Sequence, residues 1–325
     1  MSILREAGKY AIVGVAGFSL YQLTVDLVYQ TGSFVNNCFE WFIVKRIQKE
    51  YDILGILGSG KTSKIYKVRR KRDGEILALK VLSKCNIYVL ESNAFDNERF
   101  ILSRANHPNI INLIGSDSKL MYQQLELELA PDGSLLSYVH KHGPLSELLV
   151  VRMLCQLLDA MIYLFNKLIL LHRDIKPENV LIFRIPYTYS GIVDHYYKSI
   201  QQENNLVFKL CDFGFSGINS DNCGTKYYTH PDVFEGLQKH TIASELWSLG
   251  IVAHYALFGT NPYYKYSQVE DKSMFMNRIC MERRNWKRLG PKLRNFFKIC
   301  LNRTNDILID DVVQLYNDLS EERIP

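Results

Sequence analysis

The stretch GILGSGKTS (55–63) places three glycines within six residues, just ahead of a Lys-Thr pair, and what the chain does next decides the fold. A phosphate loop that opens a helix reads G-x-x-x-x-G-K-[ST], and Gly55, Gly60, Lys61 and Thr62 satisfy it. A glycine turn between two strands reads G-x-G-x-x-G, which Gly58 and Gly60 satisfy with Ser63 in place of the third glycine. Both bring backbone amides close to phosphate oxygens, because glycine has no Cβ to hold them apart. The next residues, KIYKVRRKRDGEILALKVL (64–82), favour the strand turn: Asp73-Gly74 between two β-rich runs is a strong hairpin signal, so no helix is expected to begin at Lys61. One rival feature has a mimic, since LVFKLCD (206–212) could be the apolar strand with an acidic end that accompanies a helix-opening loop.

HRDIKPENVL (172–181) separates the two readings. A P-loop NTPase has no use for it, whereas it forms part of a signature set for phosphoryl transfer to protein hydroxyls. Other landmarks follow that set's order: LGSGKTSKIYKV (57–68), the strand ending at Lys80, NERFIL with HPNI (97–110), LELELAPDGSL (125–135), DFG (212–214), GTKYYTHPD (224–232) and ELWSLG (245–250). On these residues the chain resembles the eukaryotic protein kinases, serine/threonine branch, over about residues 51–320. The resemblance implies an α+β, bilobal protein-kinase fold, with a small β-rich lobe at 51–130 and a larger, mainly helical lobe at 131–320. It also implies transfer of the γ-phosphate of ATP, with Mg²⁺, to serine or threonine of a protein substrate.

Such a reaction asks for charge neutralisation and in-line positioning more than for covalent chemistry. By resemblance, Gly58, Ser59 and Gly60 meet the phosphates, Lys80 contacts them as well, and Glu98 fixes the Lys80 ammonium. Leu57, Ile65, Ala78 and Leu181 wall the adenine, the Glu128 carbonyl and Ala130 amide bind its edge, and Leu127 guards the back of the pocket. Asp174 orients the substrate hydroxyl and Lys176 sits by the γ-phosphate, while Asn179 and Asp212 supply hard oxygen ligands for Mg²⁺. Thr225 bonds the catalytic loop. If Lys80 and Glu98 form a buried pair, removing either partner costs about 3–5 kcal/mol.

The pattern bends in the C-terminal half. Ala-Pro-Glu becomes His230-Pro231-Asp232, the helix aspartate of D-x-W-S-x-G becomes Glu245, and the late arginine falls at Leu308. The sequence predicts a looser activation-segment anchor, and a Glu245 long enough to reach the catalytic-loop backbone. Between Asn179 and Asp212 lie 32 residues, including a tyrosine-rich insert at about 185–205 read as a surface excursion or partner site. Arg173 suggests an ordering role for phosphorylation at Ser216, Thr225 or, preferred, Ser220. These weakened supports leave a second reading open, a catalytically weak pseudokinase scaffold.

Composition adds boundaries. Seven scattered cysteines (38, 85, 155, 211, 223, 280 and 300) with no C-x-x-C point away from a disulfide framework and fit a reducing, cytoplasmic setting. The net charge of +5 is spread over short runs such as RRKR (69–72), so no specific nucleic-acid partner is expected. Residues 1–50 form an apolar extension: Tyr10–Val25 is uncharged for sixteen residues, short of the about 20 that span a bilayer. CFEWFIV (38–44) then precedes KRIQK (45–49). A membrane anchor and a helix packed on the main domain or a partner both remain open for this extension.

Overall fold

A computed structural model describes residues 40–60, 63–84, 94–184, 205–217, 223–262, 289–301 and 307–320. The chain divides into two compact units, Met1–Ser92 with Ser116–Leu125, and Asn93–Gly115 with Glu126–Pro325. Residues 1–39, most of the insert, Ser220, Lys61 and Thr62 lie outside the described residues.

The first unit begins with helix α1 (residues 40–50), whose Ile43 and Ile47, one turn apart, are buried at 4% and 1% exposure. Strands β1 (Tyr51–Ser59), β2 (Ser63–Arg70) and β3 (Ile76–Ser83) follow as an antiparallel meander. With β4 (Leu113–Ser118) and β5 (Tyr122–Leu127) they form a five-stranded sheet of order β1-β2-β3-β5-β4. The β2/β3 register is unbroken from Ser63↔Leu82 to Arg69↔Ile76. By contrast, β1/β2 slips between Ile53 and Gly55 and again between Ile56 and Gly58, so the exposed Leu54 and Leu57 have no cross-strand mate. Such bulges bend a strand where a backbone must approach something closely. The chain turns by way of Gly60, whose N–H donates to Ser63 O at 2.8 Å, and Ser63 starts a strand. No helix opens there, which removes the phosphate-loop alternative.

The Asp73-Gly74 hairpin is as expected. Gly74 has φ +78°, conformational space that side-chain-bearing residues rarely adopt, and its N–H donates to Arg70 O at 2.8 Å. Arg70, nearly buried, bonds Asp73 at 2.8 Å and also meets Glu75. That guanidinium holds the Asp73 carboxyl down at about 2. Lys71 reaches Gln48 O and Asp52, and Arg72 reaches Asp73. Three side chains of the RRKR run are thus committed within the molecule and do not form an open basic patch.

The second unit is mainly helical. It contains α2 (Ala94–Leu102), α3 (Leu135–His142), α4 (Glu147–Tyr163), α5 (Pro231–Phe234), α6 (Ile242–Phe258), α7 (Pro291–Cys300) and α8 (Ile309–Ser320), with a β6/β7 pair (Val180–Arg184, Leu206–Leu210). Helix α6 is buried around most of its circumference, which marks it as the hub of this core. Its start is fixed by a capping box between Thr241 and Ser244, and its end by Gly259 at φ +70°. Gly250 lets α6 approach α7 closely: a Cβ there would stand 2.9 Å from Leu301 and 3.1 Å from Cys300. The Asn109 amide donates to Gln156 and to Phe208 O, both at 2.9 Å, and Gln156 also accepts from Phe208 N at 2.7 Å. This polar group ties the HPNI segment to β7 and α4.

Candidate active site

The chemistry in the second unit is built on two loops held in register by β6 and β7. Val180 pairs with Leu210, and Cys211 N donates to Asn179 O at 3.0 Å, so the residues just before β6 lie beside those just after β7. HRDIKPEN precedes β6 and DFG follows β7.

Asp174 is 4% exposed, yet both its carboxylate oxygens are engaged. Thr225 Oγ1 donates to Oδ1 at 2.7 Å. Lys176 Nζ meets Oδ2 at 2.7 Å and Thr225 Oγ1 at 2.8 Å, closing a three-membered ring of contacts. Asn179 Nδ2 donates to Asp174 O at 2.9 Å and to Oδ2 at 3.1 Å. Every side-chain partner of this buried carboxylate is a hydrogen-bond donor, as a buried acid requires. Thr225, two residues past Cys223 in the activation segment, thereby couples that segment to the catalytic loop.

The loop itself is held under strain. Arg173 and Asp212 have φ +67° and +65°, and Tyr227 in the activation segment has +76°. Non-glycine residues stay in this region only where their surroundings over-determine them. Glu245 on α6 supplies much of that hold: its Oε1 accepts from Arg173 N at 2.8 Å and its Oε2 from His172 N at 2.9 Å. The longer side chain therefore does reach the catalytic-loop backbone. Its carboxyl is raised from 4.5 to about 7 by burial, against the pull of those two amides. His172 is fully buried, and burial lowers its affinity for a proton. The neutral ring fits the contacts, with Nδ1 accepting from Asp174 N at 3.3 Å and Nε2 donating to Cys211 O at 3.0 Å.

Asn179 uses its amide nitrogen for both hydrogen bonds, which leaves the carbonyl oxygen as a hard donor. No cluster of three His, Cys, Asp or Glu side chains suited to a metal exists among the described residues. An amide oxygen with a carboxylate such as Asp212 is too sparse a set to capture a cation alone. It fits Mg²⁺, which keeps waters and takes the rest of its shell from substrate phosphates.

The remaining expected residues divide between the units. Glu98 is 2% exposed on α2, and Leu181 pairs with Lys209 in β6/β7. The Glu128 carboxylate accepts from Lys209 Nζ at 2.6 Å and from Asn112 N at 2.8 Å. Among the described residues, no backbone hydrogen bond outside the strands takes up the Glu128 carbonyl or the Ala130 amide. In the first unit Lys80 stands opposite Ile65 and is 9% exposed on a strand whose neighbours Leu77 and Leu79 are fully buried. A lysine inside such a strand is unusual without a functional partner. Ala78 is buried beside it, Leu57 is half exposed at the bulge, and Gly58 and Ser59 pair with Ile65 and Lys64. Ser59 and Gly60 lead into the turn.

Sequence reasoning missed two supports. Asn97, the neighbour of Glu98, donates from Nδ2 to Phe213 O, Gly214 O and Ser216 O at 3.2, 3.2 and 2.8 Å, clamping the DFG turn to α2. His230 caps α5 by accepting from Asp232 N, shares Nδ1 with Gln238 Nε2 at 3.0 Å, and packs edge-on against Trp247. The segment that lost its Glu–Arg anchor is therefore pinned through His230. Leu308 is exposed at 66% and plays no part in it. Ser216, one of the three candidate phosphosites, is 3% exposed and donates to His172 O, and Thr225 is occupied by Asp174 and Lys176.

The chain matches the family model described as protein kinase domain over residues 51–306. It is 36% identical over 218 residues to the Aurora kinase of Saccharomyces cerevisiae, covering 64% of this chain and 52% of that protein. It is 29% identical over 231 residues to the serine/threonine-protein kinase ATG1c of Arabidopsis thaliana, covering 69% and 29%. A third relative, calcium-dependent protein kinase 5 of Plasmodium falciparum, is 28% identical over 255 residues, covering 76% and 41%. The chain thus spans from 29% to 52% of the length of these relatives. With a match over well more than half its length, and with the catalytic and DFG loops set side by side as described, this chain belongs to the protein kinase family.

Proposed function

We propose that the chain is a cytoplasmic Mg²⁺- and ATP-dependent kinase that phosphorylates serine or threonine hydroxyls of a protein substrate. The observation that carries this reading is the buried Asp174 carboxylate, gripped by Lys176, Thr225 and Asn179 within 3.1 Å. In the reaction the substrate oxygen forms a bond to the γ-phosphorus, the bond from γ-phosphorus to the bridging β–γ oxygen breaks, and the hydroxyl proton passes to Asp174. Thr225 and Asn179 hold the carboxylate in place. Lys176, whose Nζ meets the Asp174 carboxylate at 2.7 Å, would turn to the transferred group once ATP is bound. When bound, Mg²⁺ would neutralise phosphate charge, with the Asn179 amide oxygen and Asp212 as its protein ligands. Lys80 would hold the nucleotide phosphates, and the Glu128 carbonyl and Ala130 amide its base. The serine/threonine assignment is supported by Lys176 two residues after Asp174, by Thr225, and by the name of the plant relative, a serine/threonine-protein kinase.

The test is transfer of labelled phosphate from ATP to a serine/threonine peptide array, comparing wild type with Asp174→Ala and Lys80→Met. Loss of incorporation in both variants is expected. Equal incorporation by wild type and Asp174→Ala would refute the assignment, and an inert wild type that still binds ATP or partners would make the chain a scaffold.

A further inference from the structure

Helix α1 sorts its side chains by face in a way that docking on its own unit does not require. Ile43 and Ile47 are buried, and the two carboxylates serve that same unit: Glu40 meets Lys64 Nζ at 2.7 Å, and Glu50 meets Lys119 Nζ at 3.5 Å. At about 100° per residue, Trp41, Lys45, Lys49, Phe42 and Arg46 share one outer sector of roughly 140°. All five are exposed, Trp41 at 63% and Phe42 at 42%. Lys45 lies over the Trp41 ring and Arg46 over the Phe42 ring, 5.8 and 5.7 Å from the centroids. The sector holds two large aromatics and three cations, with no acid.

We propose that this outer face of α1 is a docking surface for an anionic lipid membrane. Trp and Phe favour the layer between headgroups and acyl chains, and lysine and arginine beside them meet lipid phosphates. The charge is complementary to such a surface, and the order along the chain agrees with it. The uncharged run Tyr10–Val25 comes first, then the aromatic pair, then the cations. Protein–protein interfaces are depleted of lysine, whereas two lysines and an arginine beside two aromatics suit an anionic lipid surface. The one helix among the described residues long and apolar enough to cross a bilayer, Glu147–Leu168, is half buried within the second unit and takes no part. This proposal is independent of the catalytic reading.

The experiment uses the full chain in vesicle flotation, with phosphatidylcholine alone and with phosphatidylcholine containing phosphatidylserine. Wild type should float with the anionic vesicles and much less with the neutral ones, and added salt should weaken it. Changing Lys45, Arg46 and Lys49 together to Gln should lower the apparent affinity roughly 100-fold, at about fivefold for each charge. Trp41→Ala with Phe42→Ala should weaken binding to both vesicle types. Ile43 and Ile47 are untouched in both variants, so unchanged thermal unfolding would show that α1 stays docked. The proposal is overturned if wild type floats with neither vesicle, if it binds both equally with the variants unaltered, or if the aromatic pair instead drives self-association without lipid.

Discussion

Glu245→Gln isolates a contest between burial and hydrogen bonding. The carboxylate accepts two backbone N–H groups at 2.8 and 2.9 Å, which favours its ionised form. Its full burial on α6 favours the neutral form, and burial prevails, lifting it from 4.5 to about 7. A raised carboxyl contributes stability that is complete below its unfolded value and is lost as pH rises through its folded value. At about 1.4 kcal/mol for each tenfold in proton affinity, the change from 4.5 to about 7 corresponds to about 3 kcal/mol. Gln does not titrate, so the stability of wild type relative to the variant should fall by about that amount between about pH 4 and about pH 8. For a domain of this size the difference in Tm should move by about 6–12 °C in favour of the variant. His172, lowered by burial, adds acid sensitivity of the opposite sign below its usual 6.5, but it is present in both proteins and drops out of the difference. Thermal melts of both proteins across the pH series are the assay. A flat difference, or a wild type that gains on the variant as pH rises, would show that the two amides dominate and hold Glu245 ionised.

Two further outcomes follow from the same contacts. Thr225→Val removes the donor to Asp174 and the acceptor for Lys176 while keeping the shape, so kcat should drop roughly 30- to 150-fold at about 1–1.5 kcal/mol per lost bond, with Thr225→Ser restoring most of it. Asn97→Ala releases the clamp on Phe213, Gly214 and Ser216, and hydrogen exchange over residues 213–217 should quicken roughly tenfold while the rest of the second unit keeps its protection.

What could be read beforehand and what could not differ by the range of the interactions. The hairpin at Asp73-Gly74 and the strand start at Ser63 are local, since turn chemistry and β-branched runs act over a few residues. They were enough to reject a helix after the glycine loop. The pairing of the catalytic and DFG loops was legible because motif spacing stands in for the β6/β7 register that sets them side by side. Residues 1–39 and the tyrosine-rich insert offered no comparable spacing. Asn97 and His230 escaped notice because an isolated amide or imidazole looks alike on any helix. Their partners lie 116 to 119 residues away in one case, and in a replacement for a familiar ion pair in the other.

By itself, then, the sequence determined the residue types and their order: a lysine on a strand, a carboxylate two residues before a second lysine, an amide, and a further aspartate. Only tertiary structure decided the bonding of those groups and the protonation of the side chains that support them. Whether Glu245 could span to two amides, whether His172 stays neutral, and whether Thr225 meets Asp174 or solvent all depend on burial and angle. Those quantities arise when segments far apart in the chain pack against α6, and no local pattern encodes them.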